Sequence, residues 1–131
     1  EKIQSLENFV LEQKILGKSV AGFGASAKST VWVNACEFDR SEIGFIADST
    51  RQKWGCSSPG SDIPIVDEGA LLREMPDYAI MFAWNFRKEI ERTQARYLEK
   101  GGHFIVPFAG THIGEFDLPR NSDVVNLPIR A

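Results

Sequence analysis

Apolar positions along this chain alternate between helical stripes and short continuous runs. Ile3, Leu6, Phe9 and Val10 recur at helical spacing among charged residues, which predicts an amphipathic helix over residues 2–16 with Gly17 as its stop. Ser19 to Phe23 is a short, mostly apolar run and reads as a buried strand. Ala25 to Cys36 contains neither Gly nor Pro and reads as a helix, with Ser26 suited to cap its start. Ile43 to Ala47 is a second buried strand, ending at Asp48. A third, Ile63-Pro64-Ile65-Val66, carries a proline that suits a sheet edge. A short helix over 68–73 precedes a fourth strand over 77–83. The longest helix is predicted over 85–100, with Phe86, Ile90, Tyr97 and Leu98 inward and Gly101-Gly102 as its stop. His103 to Val106 is the fifth strand.

Strands that alternate with helices, and are apolar throughout, imply a parallel sheet covered on both faces. The predicted fold is therefore α/β and Rossmann-like: a doubly wound, mainly parallel five-stranded sheet with helices on both faces. The organisation is one domain, with a leading helix over 1–17, an α/β core over 18–106 and an irregular tail over 107–131. In such sheets ligands bind at the carboxyl ends of the strands, where the strand order reverses. Here that rule selects the turns after the first and fourth strands. The stretch from Ser49 to Asp62 is long for a connection inside one domain, a length that points to a functional or disordered loop.

A length of 131 residues, 43% of them hydrophobic and 25% charged, fits one ordinary globular core. A net charge of −3 argues against a general nucleic-acid binder, and no apolar run is long enough to span a membrane. The opening Glu1-Lys2-Ile3-Gln4 has no initiating Met and no signal-peptide pattern, as a cut or processed chain would begin. Two cysteines, Cys36 and Cys56, do not make a disulfide framework, so a reduced, cytoplasmic setting is expected. His103 and His112 have no partners at ligand spacing; neither a metal site nor a catalytic histidine is expected.

The turn after the first strand reads Gly22-Phe23-Gly24-Ala25-Ser26-Ala27-Lys28-Ser29. Gly22, Gly24 and Ala27 match a G-x-G-x-x-G/A fingerprint in strand–turn–helix context. Small residues there let backbone approach a phosphate, and the helix start offers free N–H groups. Asp48 stands near the spacing at which an acid holds ribose hydroxyls. The opposing reading is that the small residues only permit tight helix–sheet packing. The same residues nearly spell a Walker loop, but Ala27 replaces a glycine and the fourth strand ends without an acid, so an NTPase is not favoured. Trp84 and Asn85 follow the fourth strand, where an aromatic face and an amide could shape a base or sugar pocket. Asn85 could equally cap the next helix. Lys88, Arg92, Arg96 and Lys100 form a stripe best read as a solvated face. No nucleophile elbow or H-E-x-x-H pattern occurs.

The series Val20 to Lys28, Asp48 with Lys53 and Gly55, Pro59-Gly60, Ile63-Pro64-Ile65, Pro76-Asp77-Tyr78, Trp84-Asn85, Gly101-Gly102 and Phe104 to Pro107 resembles the C-terminal domain of the sugar C-methyltransferase family. Order and spacing hold over about residues 5–108. Two positions depart from the family pattern: Ser29 where glycine is usual, and Asp62 where histidine is usual. The resemblance implies a piece of a longer methyltransferase whose upstream part binds S-adenosylmethionine and carries the catalytic base. This domain would form the substrate side, binding a nucleotide-linked sugar through Gly22, Gly24, Ala25, Ser26, Lys28, Asp48, Trp84 and Asn85. It would be inactive alone and hold no cofactor of its own. Two rivals stand beside that reading: an NAD-type dinucleotide-binding module using Gly22, Gly24, Ala27 and Asp48, and a structural domain with an empty pocket.

Overall fold

The computed structural model describes residues 2–107 and 116–117. Helix α1 (Lys2–Ile15) leads into β1 (Val20–Phe23), α2 (Ala27–Ala35), β2 (Ile46–Asp48) and β3 (Ile65–Asp67). There follow α3 (Ala70–Glu74), β4 (Tyr78–Met81), α4 (Arg87–Thr93), α5 (Ala95–Glu99), β5 (His103–Pro107) and β6 (Phe116–Asp117). The sheet order is β3-β2-β1-β4-β5-β6, with the first five strands parallel and β6 antiparallel to β5. The predicted five-stranded parallel sheet is therefore present, and the reversal of strand order falls between β1 and β4. Of the predicted irregular tail, Pro107 belongs to β5 and Phe116–Asp117 add an edge strand; its remaining residues, His112 among them, lie outside the described ones.

Side chains along each strand point alternately to the two faces, and they feed two separate cores. Val20, Ile46, Tyr78, Ile80 and Ile105 pack with Leu6, Phe9 and Val10 of α1 and with Trp32 and Val33 of α2. Ala21, Phe23, Ala47, Ala79, Met81, Phe104 and Val106 pack on the other face with Leu71 of α3, Ile90 of α4 and Tyr97 of α5. Helices thus cover both faces. Trp84 packs against both clusters, at the rim where they meet.

Boundaries depart from the pattern in physically readable ways. Helix α2 begins at Ala27, with Ser26 in extended conformation as its cap: the Ser26 hydroxyl accepts the Ser29 N–H, and the Ser26 N–H donates to Ser29 Oγ. Residues 43–45 lead into β2 through the Gly44 N–H to Val20 and the Phe45 carbonyl to Gly22. Asp77 stays outside β4 and instead clips β1 to β4. Its Oδ2 accepts the Ser19 N–H at 2.8 Å, and its own N–H donates to Ser19 Oγ at 3.0 Å. Proline 64 abuts β3, which is the sheet edge, as expected.

The predicted helix over 85–100 is two helices. Residues 84–86 form a 3-10 turn, and the chain breaks again at Gln94, which is buried and not helical. Phe86, expected inward, is 58% exposed, because the tight turn lifts it off the stripe that Ile90 and Tyr97 continue. Lys88, Arg92, Arg96 and Lys100 are exposed, as predicted. The long connection 49–62 is ordered: it runs out from β2 and returns antiparallel to itself, with the Gly55 N–H on Ile65 O, the Ile65 N–H on Cys56 O and the Ser58 N–H on Ile63 O.

Candidate functional site

The glycine turn lies at the carboxyl end of β1, beside the end of β4, where the strand order reverses. Both glycines are demanded first by the protein's own packing. A Cβ on Gly22 would come within 2.7 Å of the buried Phe82 ring, and one on Gly24 within 2.8 Å of the Ala83 Cβ. Gly24 also has φ +101°, a conformation that side chains oppose. The two strand ends can therefore approach closely only because these positions lack side chains.

The turn's amides are largely engaged. The Gly24 N–H donates to Ala47 O at 2.8 Å, the Ala25 N–H to Asp48 Oδ2 at 2.6 Å, and the Ser26 N–H to Ser29 Oγ at 3.0 Å. Asp48 is 7% exposed, and its other oxygen accepts the Thr50 N–H at 2.7 Å. Its carboxylate thus props up the turn. Donors still open to a ligand are the first-turn N–H groups of Ala27 and Lys28, which have no intrahelical acceptor by the geometry of a helix start. Both residues are exposed.

Lys28 reaches across the reversal point. Its ammonium lies 5.5 Å from the centroid of the Trp84 ring, a cation–π distance. The sequence-predicted residues Gly24, Ala25, Ser26, Lys28, Asp48 and Trp84 are therefore brought to one place. Gly22 lies one step inside the sheet, under Phe82. Asn85 sits exposed in the 3-10 turn, and no side-chain cap bond is made at the start of that turn or of α4, so the expected capping role is not taken up.

One residue that pattern reading left out of the site is Lys53. Half-buried in the 3-10 turn 51–53, it donates from Nζ to the Ala25 carbonyl. The neighbouring Trp54 donates its indole N–H to Asp48 O at 2.7 Å. Residue 25 is thereby held from both sides, its N–H by Asp48 and its carbonyl by Lys53. The only sequence signal for this was a lysine a few residues beyond the acid that ends β2, in a loop without periodicity.

Among the described residues no group of three or more His, Cys, Asp and Glu could hold a metal ion, and no helix is long and apolar enough to cross a membrane. Cys36 is buried and Cys56 exposed, and the two form no disulfide.

Residues 1–109 match the model of the C-methyltransferase C-terminal domain family. The C-methyltransferase NovU of Streptomyces niveus is 43% identical over 91 residues, which cover 70% of this chain and 22% of that protein. The chain thus spans only about a fifth of the length of the curated relative it matches. With the match running unbroken from α1 through β5, this chain belongs to the C-methyltransferase C-terminal domain family.

Proposed function

We propose that this domain forms the substrate side of an S-adenosylmethionine-dependent C-methyltransferase, binding a nucleotide-linked sugar and lacking activity by itself. The observation that carries the reading is the Lys28 ammonium over the Trp84 ring at the reversal between β1 and β4. A cation and an aromatic face beside an α-helix start, whose first turn holds no acid, suit a ligand that combines phosphate charge with a flat base. The Ala27 and Lys28 amides add donors for phosphate oxygens. Asn85, exposed beside Trp84, offers an amide to hydroxyls or to a base edge.

The charge at this crevice favours an anionic substrate over the methyl donor. S-adenosylmethionine carries a sulfonium cation, and the charges that face the turn are the lysines at positions 28 and 53. The one acid beside the turn, Asp48, is buried with each oxygen on a backbone amide. The donor and the catalytic base are therefore assigned to the remainder of the longer protein. The same engagement of Asp48 weighs against an NAD-type module, which needs that acid to face ribose hydroxyls.

The test is calorimetric titration of the full-length protein with a nucleoside-diphosphate sugar. Lys28→Ala should weaken binding roughly tenfold, the worth of one charge-assisted contact. Unchanged affinity would remove Lys28 from the site and the reading with it.

A further inference from the structure

We infer that the outer face of α1 is the docking surface for the chain's own C-terminal segment, residues 118–131, which binds it through Val125, Leu127 and Ile129. This surface lies toward the opposite end of the sheet from the glycine turn, apart from the ligand site.

Helix α1 is apolar on more than the face it buries. Leu6, Phe9 and Val10 point into the core, yet Leu11, Ile15 and Leu16 are exposed, Ile15 by 84%. Leu11 and Ile15 stand one turn apart on the outward side. In the same turns Gln13 is fully buried, and among the described residues neither its side-chain oxygen nor its amide nitrogen has a hydrogen-bond partner. Buried polar groups are nearly always paired. Exposed apolar side chains beside an unpaired buried amide mark a helix that lacks one of its neighbours.

Geometry selects that neighbour. Helix α1 lies over β1 and β4, with the Phe9 ring edge-on to Tyr78 at 5.2 Å. Lys14 reaches the turn that follows α2, its ammonium 3.0 Å from Ser41 Oγ, so that flank of α1 looks toward β2. At about 100° per residue, Leu16 lies on the opposite flank, the side on which the strand order places β5 and β6. The last turn of α1 also sits at the sheet end where β1 starts, the end marked by Tyr78 and His103 in the register. Strand β6 runs antiparallel to β5, from opposite Pro107 to opposite Val106, so a chain leaving Asp117 heads for that same end.

The sequence beyond Asp117 suits the surface. Val125, Leu127 and Ile129 alternate with Asn126 and Pro128, the pattern of an extended segment with one apolar face. Pro128 favours extended backbone at Leu127. At about 3.3 Å per extended residue, positions 118 to 125 span roughly 25 Å. That is well beyond the two strand spacings of about 4.8 Å between β6 and β4. An extended segment also carries backbone N–H and C=O groups, with which the Gln13 amide can pair.

The test is photo-crosslinking in the full-length protein, with p-benzoylphenylalanine at position 15, where the native side chain is exposed. Trypsin cuts after Arg120 and Arg130 and releases residues 121–130 as one peptide. The expected result is an adduct to that peptide within a single chain, read by mass spectrometry. An adduct that joins two chains, an adduct to another part of the polypeptide, or none would overturn the docking. Hydrogen exchange gives a second reading with standard side chains. Leu127→Asp should speed exchange of the α1 amides at 11–16 roughly fivefold while leaving β4 unchanged. Asn126→Asp, on the other side of the alternation, should stay within about twofold of the parent. Equal rates in Leu127→Asp and the parent, or an equal rise with Asn126→Asp, would also overturn it.

Discussion

Asp48 Oδ2 accepts the backbone N–H of Ala25 at 2.6 Å, joining the end of β2 to the turn that follows β1. The bond bridges residues 23 positions apart and is buried. Because the other oxygen holds the Thr50 N–H, one carboxylate sets the geometry of both the glycine turn and the start of the long β2–β3 connection. Replacing it with Asn leaves one acceptor oxygen for two donors and turns an NH₂ group toward the second. Asp48→Asn should therefore cost about 2 kcal/mol in urea unfolding, from one stranded buried amide and weakened bonding at the other. A loss below about 0.5 kcal/mol would mean that the carboxylate is not what holds the turn.

Glycine substitutions should sort by what a new Cβ meets. At Gly102 it would overlap the ring of Tyr97, which is fully buried and donates its hydroxyl to Pro76 O at 2.9 Å. At Gly24 it would meet Ala83 backbone and Cβ with φ at +101°. Gly44 is exposed and has nothing within 4 Å of the added atom. Gly102→Ala and Gly24→Ala should each lose about 2 kcal/mol or more, whereas Gly44→Ala should be neutral or stabilise slightly through the unfolded chain. Equal melting temperatures for the three variants would contradict the packing described.

Much of this architecture was legible because burial and period coincide. Leu6, Phe9 and Val10 mark α1, and the apolar runs at 20–23, 46–47, 78–81 and 104–107 mark strands that are buried on both faces. Gln13 belongs to the same α1 stripe and is fully buried, but a polar residue there gives the pattern no signal. The break at Gln94 was equally hidden, since neither Gly nor Pro marks it and the seating of Ile90, Gln94 and Tyr97 against the sheet decides it. At the site, the glycine turn and Lys28 were readable as a local motif. The clamp on Ala25 was not, because Asp48 and Lys53 reach it only after the sheet has brought β2 alongside β1.

The exposed Phe86 follows from the same tertiary override. At 58% exposure in the 3-10 turn, it contributes little buried area, so Phe86→Ser should change stability by less than about 0.5 kcal/mol. Ile90→Ser, one turn later and 6% exposed, should cost several times more. Thermal unfolding of the two variants tests where the inward stripe really begins. Comparable losses would put Phe86 back on it.

The two thiols should behave oppositely. Burial, helped by the negative charge of Glu7, pushes the Cys36 thiol up to about 12, while Cys56 is exposed. At pH 8 the native chain should react with one equivalent of a thiol reagent, and with two once unfolded, because only the thiolate attacks. The same shift fixes a pH dependence. Cys36 holds its proton more tightly in the fold than its ordinary value of 9.0 allows in the unfolded chain. Its stabilising contribution is therefore complete below pH 9 and falls as pH rises through 9 toward 12. Tyr97, whose hydroxyl burial also pushes upward, adds a loss of the same sign at higher pH. Stability should thus be steady on this account from pH 7 to 8.5 and decline above pH 9. Cys36→Ala should start lower, because it loses a packed side chain, but should fall less steeply over pH 9–11. Identical slopes for the two proteins would show that the fold does not hold the Cys36 proton.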